Sequence, residues 1–296
     1  MMMKLLLLVP ALLVVMLAAA CSVETREPAV AAVHDSLVVA ARPLVVPHDS
    51  LIPDGALGAS IRRGRAILTA AGDSLPDHVG NRLTCTNCHL DAGTRAFAAP
   101  WVGVYARFPQ YRGRNARVNL LEDRINDCIQ RSLKGRALAF ESSAMRDMVA
   151  YMAWLSREYP VGSSVAGEGF DRFGPLEPDT AGGATVYVRE CARCHGAAGD
   201  GMQYVDSVGV SRLAPPLWGP DSYTIGAGMA RLRTAAAFVR ANMPFDRPRT
   251  LTDQEAYDVA AYINAQPRGD FAGKEHDWPR GGAPPDAAYP TMGARQ

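Results

Sequence analysis

The sequence predicts a mainly α-helical fold in two similar halves, with long loops and an irregular C-terminal tail. Three observations carry this. Apolar residues recur at helical spacing, and no alternating run is long enough to argue for a sheet. A five-residue pattern, CTNCH at 85–89 and CARCH at 191–195, occurs twice, 106 residues apart. The stretch 161–180 between the repeats is dense in Gly, Ser and Pro and reads as a linker. With 296 residues, 48% of them apolar, the chain can bury a core in each of two domains.

The first 20 residues have one lysine, an apolar run and AAA directly before Cys21, the layout of a cleaved secretory signal. Export to the periplasm follows. Small residues leading into cysteine also resemble a lipoprotein box, so Cys21 is either a lipid-carrying mature N-terminus or lies beside an ordinary cleavage point. Residues 21–54 are rich in Ala, Val and Pro without sustained period and read as a tether.

The first half, 55–160, begins with the helix-forming stretch IRRGRAIL and ends with AMRDMVAYMAWLSREY. In the latter, Met145, Met148, Val149, Met152 and Leu155 share one helical face, which makes these methionines core residues in preference to ligands. The second half, 181–268, repeats the plan with GGATVYVREC and TDQEAYDVAAYINAQ. Ala256, Val259, Ala260 and Ile263 share a face there, and Thr252 with Glu255 forms a capping box at the start. Residues 269–296 are Pro- and Gly-rich and either wrap the surface or hang loose.

The formal charge of +1 gives no sequence-wide attraction for nucleic acid or an anionic membrane. The chemistry lies in the cysteines. CxxCH is the attachment site of a c-type haem: Cys85 and Cys88, and again Cys191 and Cys194, would each bond one porphyrin, with His89 and His195 on the irons. A zinc site pooling the four thiols is the rival reading. The 102 residues between Cys88 and Cys191 far exceed ordinary zinc-ribbon spacing. A redox CxxC would not need histidine twice at the same place. The sequence therefore predicts two covalently bound haem c groups.

Each iron has a second axial position, whose ligand sets its potential. For the second haem, Met243 in the loop ANMPFDRP lies 48 residues after His195. Met202 and Met229 compete, the first close to the attachment site and the second at the start of a helix. For the first haem, Cys128 lies 39 residues after His89. It is an axial ligand, a structural thiol or a disulfide partner. A free thiol is a liability in an oxidising compartment. Between Arg107 and Arg136 the local charge is +5, while the rest of the chain sums to −4. Such a cluster is a solvated face or, beside a thiol and an iron, a pocket for a small anion. Positive surroundings also favour the thiolate.

The run CTNCHLDAGTRAFAAPWVGVYARFPQYRGRNARVNLLEDRINDCIQRS, with RANMPF and LTDQEAYDVAAYINAQPR, resembles the dihaem thiosulfate dehydrogenases, which form tetrathionate. The resemblance extends over about 55–280. It implies two fused class I cytochrome c domains, with His89 and Cys128 on a catalytic haem and His195 and Met243 on an electron-exit haem. It also implies substrate-binding arginines at Arg114 and Arg124, thiosulfate and tetrathionate as substrate and product, and a soluble or membrane-bound cytochrome as acceptor. Relatives with lysine just before the exit methionine have a competing ligand; here the residue is Asn242. Two other functions fit the same cysteines. One is a sulfur-oxidation dihaem subunit that loads thiosulfate onto a carrier protein, which typically has cysteine where this chain has Met243. The other is a plain dihaem electron carrier, which needs neither thiolate nor arginines.

Overall fold

The computed structural model of the chain describes residues 40–291 except 172, 173, 175, 207 and 208. The signal segment, Cys21 and most of the tether lie outside the described residues. Five helices build the first half: α1 (Gly55–Thr69), α2 (Ala71–Ser74), α3 (Leu90–Gly93), α4 (Leu121–Arg131) and α5 (Ser143–Leu155). The second half holds α6 (Thr180–Val186), prolonged by a wide π-type turn over Tyr187–Cys191, then α7 (Ala192–His195), α8 (Leu232–Asn242) and α9 (Asp253–Ala265). Two short antiparallel ribbons are added: β1 (Gln110–Arg112) pairs with β2 (Arg117–Asn119), and β3 (Met202–Val205) with β4 (Ser211–Ala214). Both are too short for a period-two pattern to show in the sequence. Among the described residues, no helix is long and apolar enough to cross a membrane.

Local chemistry sets the helix starts. Ser142 Oγ accepts the Met145 N–H at 3.2 Å at the start of α5. At α9 the capping box is complete, with Thr252 Oγ1 accepting from Glu255 N at 3.2 Å and Glu255 Oε2 from Thr252 N at 3.0 Å. On α5, Met145, Met148, Met152 and Leu155 are buried. Burying each such side chain contributes about 1.5–3 kcal/mol.

The two halves close in the same way. A Cβ on Gly64 of α1 would stand 1.8 Å from the carbonyl oxygen of Asp147 in α5, and one on Gly183 of α6 would stand 2.0 Å from that of Asp258 in α9. Only glycine lets these helix pairs meet backbone to backbone. Both aspartates are buried and bonded. Asp147 accepts from Arg63 at 2.7 and 2.9 Å and from Ser60 at 2.5 Å. Asp258 accepts from Asp179 N at 2.8 Å and Gln254 at 2.7 Å.

Stretches without sequence periodicity are nonetheless fixed by backbone hydrogen bonds. The end of the tether is a strap: Arg42 N donates to Ser164 O, and Ala166 N to Arg42 O. Tyr159 Oη accepts from Val45 N and donates to Pro43 O, both at 2.8 Å. The linker lies along the first half, where Phe97 N donates to Gly167 O at 2.7 Å and Ala99 N to Gly169 O at 2.6 Å. The tail wraps: Trp278 N donates to Arg114 O at 2.7 Å, and Trp278 and Tyr289 are buried.

Burial disfavours the Asp147 carboxylate, but the hydrogen bonds from Arg63 and Ser60 outweigh it and hold its pKa below the ordinary value. Its contribution is therefore present at neutral pH and is lost as pH falls below about 4 through that lowered value. Asp147→Asn is expected to destabilise the protein by about 2 kcal/mol at pH 7. Urea unfolding from pH 3 to 7 should show a shallower acid limb than in the wild type; parallel curves would assign the acid sensitivity to other groups.

Candidate functional site

Each CxxCH segment opens onto its own cavity. Cys85, Cys88, His89 and Cys128 line one of about 210 Å³. Cys191, Cys194, His195 and Met243 line the other, of about 490 Å³. Cys88 also reaches the second cavity, but Cys85 lines only the first and Cys191 and Cys194 only the second, and among the described residues no three His, Cys, Asp or Glu side chains gather to hold a metal ion, against the pooled zinc site. Apolar side chains make most of each wall, including Leu68, Trp101 and Met152 in the first and Leu217, Phe238 and Ile263 in the second.

The two histidines are oriented alike. His89 Nδ1 bonds Ala99 O at 2.6 Å, and His195 Nδ1 bonds Pro215 O at 2.9 Å. A carbonyl can only accept, so Nδ1 carries a proton and Nε2 is the nitrogen turned toward the cavity, where it could meet a metal. Burial holds the His195 pKa below its ordinary value, against the Pro215 carbonyl, and keeps the ring neutral. Two thiols, one oriented imidazole and one further sulfur per apolar cavity fit a covalently attached haem in each half.

Of the sulfurs considered for the second cavity, Met243 follows directly on α8 and lines the wall. Met202 on β3 is 42% exposed and lines neither cavity. Met229 lies in the wall shared by the two cavities, with Leu83, Cys88 and Tyr223. Asn242, just before Met243, is buried, and its amide donates to Phe97 O and Phe238 O, both at 3.1 Å. It ties the second half to the first.

In the first cavity, α4 sets Arg124 and Cys128 one turn apart, and Arg124 Nη1 donates to Cys128 Sγ at 2.8 Å. Burial opposes the thiolate, but Arg124 and then the His89 ring outweigh it, leaving the thiol pKa lowered to about 7 while Asp127 acts the other way.

The structure separates the two arginines that the family resemblance pairs. Arg124 meets Cys128; Arg114 faces the tail. Arg114 Nη1 donates to Gly226 O at 2.8 Å, its guanidinium stacks 4.6 Å over Trp278, and Asp277 is 3.9 Å from its Nε. Burial and the Arg131 charge push the Arg114 pKa down to about 10. Arg112 comes to the cavity instead. On β1, Gln110 and Arg112 line the wall while Tyr111 between them is exposed, the alternation of a strand. Three residues carry too little of that period to be read in advance. Arg107 also lines the wall but pairs with Glu168 at 3.3 Å.

The tail clamps the outer end of α4. Asp277 accepts both Arg131 Nη1 and Nη2 at 2.7 Å, Tyr289 Oη donates to the same carboxylate, and Arg131 stacks 4.2 Å over Phe271. Asp277→Ala would leave Arg131 with only the more distant carboxylate of Asp127, 3.7 Å from its Nε, a loss of about 2–3 kcal/mol. Limited proteolysis is expected to cut the variant between 269 and 291 while sparing the wild type; equal resistance would mean that the tail is held by its aromatic contacts alone.

Residues 77–161 match the family model described as SoxA/TsdA, cytochrome c domain, and residues 178–263 match that of cytochrome c oxidase, cbb3-type, subunit III. The chain is 49% identical over 230 residues to a thiosulfate dehydrogenase of Allochromatium vinosum, covering 76% of this chain and 84% of that one. It is 45% identical over 242 residues to a thiosulfate dehydrogenase of Psychrobacter arcticus, covering 81% and 73%. The solved thiosulfate dehydrogenase (TsdBA) of Marichromatium purpuratum is similar at a TM-score of 0.70 and 40% identity over 76% of this chain. This chain covers 50% of that longer one.

Proposed function

The chain belongs to the thiosulfate dehydrogenase family, and we propose that it oxidises two thiosulfate ions to tetrathionate at Cys128 and passes the two electrons to an external cytochrome. Its two cytochrome c domains carry two covalently bound haem c groups. Cys85 and Cys88 would hold one, with His89 and Cys128 toward its iron; Cys191 and Cys194 would hold the other, with His195 and Met243. Bound haem supplies stepwise acceptance and release of single electrons. The leader-like N-terminus supports a periplasmic setting, with or without a lipid on Cys21.

The observation that carries the reading is the Arg124–Cys128 contact at 2.8 Å inside an apolar cavity. Joining two thiosulfates means bringing two dianions together. At about 5 Å they repel by roughly 3 kcal/mol in water and roughly 13 kcal/mol at an effective dielectric of 20. Fixed guanidiniums offset this and hold the sulfurs in line. Arg124 favours the Cys128 thiolate and then meets the sulfonate of the first thiosulfate. The Cys128 sulfur and the terminal sulfur of that thiosulfate form a bond, Cys128–S–S–SO3⁻, with loss of two electrons. A second thiosulfate attacks the outer sulfur of this disulfide bond, the thiolate of Cys128 leaves, and tetrathionate is released. Every bond change is reversible, so the same groups serve tetrathionate reduction.

Cys128→Gly is expected to abolish thiosulfate-dependent ferricyanide reduction while mass spectrometry still finds both haems attached. Arg124→Gln is expected to lower kcat/KM about 100-fold. In the wild type, one tetrathionate should appear per two thiosulfates consumed. Undiminished turnover without Cys128 would refute the mechanism, and another sulfur product would refute the function.

A further inference from the structure

Leu83, Cys88, Tyr223 and Met229 belong to the walls of both cavities. An electron handed from one haem to the other crosses this shared wall, so a charge fixed beside it acts on both ends of the transfer. The wall is backed by the second half of the chain. Tyr223 Oη donates to Asn264 Oδ1 at 3.1 Å and Asn264 Nδ2 donates to Met229 O at 3.1 Å, which ties both wall residues to α9.

Arg268 stands behind this wall. Its guanidinium stacks 4.3 Å from the centre of the Tyr223 ring. Nη2 donates to Ile263 O at 2.6 Å and Nη1 to Leu217 O at 3.4 Å, and both of those residues line the second cavity only. The adjoining backbone is fixed as well, with Gly219 N donating to Pro267 O at 2.8 Å. The last-turn carbonyl of α9 lies at the negative end of that helix and holds the cation in place, but a partial charge offsets a full one only in part. Among the described residues no carboxylate lies within salt-bridge distance of Arg268, and its Nε is buried without a hydrogen-bond partner. The Tyr223 phenol beneath it stays neutral, because burial raises its pKa against the pull of the Arg268 charge.

A cation without a counter-charge, shielded from water, favours any neighbouring group that gains an electron, and the effect falls with separation. Arg268 touches one wall residue common to both cavities and two that belong to the second alone, so its field favours the second haem over the first. We propose that Arg268 is a positioning residue for electron exit, a fixed charge that lifts the reduction potential of the second haem relative to the first and so draws electrons away from Cys128. Each transfer moves one electron, oxidising the first iron and reducing the second, with no bond made or broken. The proposal rests on the electron path given above.

Potentiometric titration of the holoprotein without thiosulfate, followed by near-infrared magnetic circular dichroism, reads the two haems apart by their thiolate and thioether bands. In Arg268→Gln, which keeps an amide donor for Ile263 O, both potentials should fall, the second further. The ratio of a single electron on the second haem to one on the first should drop about tenfold, equal to about 59 mV for a one-electron couple. Arg268→Lys keeps the charge and should retain most of the difference, whereas Arg233→Gln removes an exposed cation from α8 and should leave it unchanged. An unchanged difference in Arg268→Gln would overturn the proposal. So would an equal fall in Arg268→Lys, or loss of the thioether band in Arg268→Gln, which would make the arginine a structural support for its haem. Failure of the wild type to form tetrathionate would overturn the function and leave this proposal standing, because the potentials are read without substrate.

Discussion

In each half, a backbone carbonyl occupies the space where a helix residue would otherwise carry a Cβ. The carbonyl of Asp147 against Gly64, and that of Asp258 against Gly183, bring the first and last helices of each half into direct contact. That contact leaves no room to slide, because any side chain at the crossing would force the helices apart. The cavities are framed by these pairs: Leu68 of α1 with Met148 and Met152 of α5 wall the first, and Ala260 and Ile263 of α9 wall the second. The orientation of His89 and His195 by loop carbonyls matters only because this frame holds the loops in place.

Function depends next on how positive charge is divided. The basic segment between Arg107 and Arg136 is not a uniform patch. The tail brings Asp277 to Arg114 and Arg131, and the linker brings Glu168 to Arg107, so part of the charge is neutralised and serves the fold. What remains without a carboxylate partner at the Cys128 cavity is Arg112 and Arg124, and Arg124 there favours a thiolate. A segment that looks like an afterthought in the sequence therefore selects which arginines are free.

The first and last helices of each half and the attachment motifs were legible because each rests on contiguous residues, whereas α4, which carries Arg124 and Cys128, was not. The methionine stripe of α5 and the Thr252–Glu255 cap of α9 stand where their periodicity places them. The strap, the linker and the tail were not legible. They are held mainly by main-chain hydrogen bonds such as Phe97 N to Gly167 O, and a main-chain donor leaves no mark on residue type. Nothing in the sequence distinguishes Arg112 from Arg114 within the basic segment, since residues near a turn look alike until the ribbon gives them faces.

The sequence by itself determined the covalent chemistry: two CxxCH sites, an additional thiol 39 residues after the first histidine, and a methionine 48 residues after the second. The two attachment sites are short-range facts, because a porphyrin edge and one histidine are satisfied within five residues. Only the tertiary structure decided that Arg124 meets Cys128 while Arg114 meets the tail, and that Leu83, Cys88, Tyr223 and Met229 form one wall between two cavities. Coulomb and contact energies depend on separation in space, and loops without periodicity fix that separation through partners more than a hundred residues away.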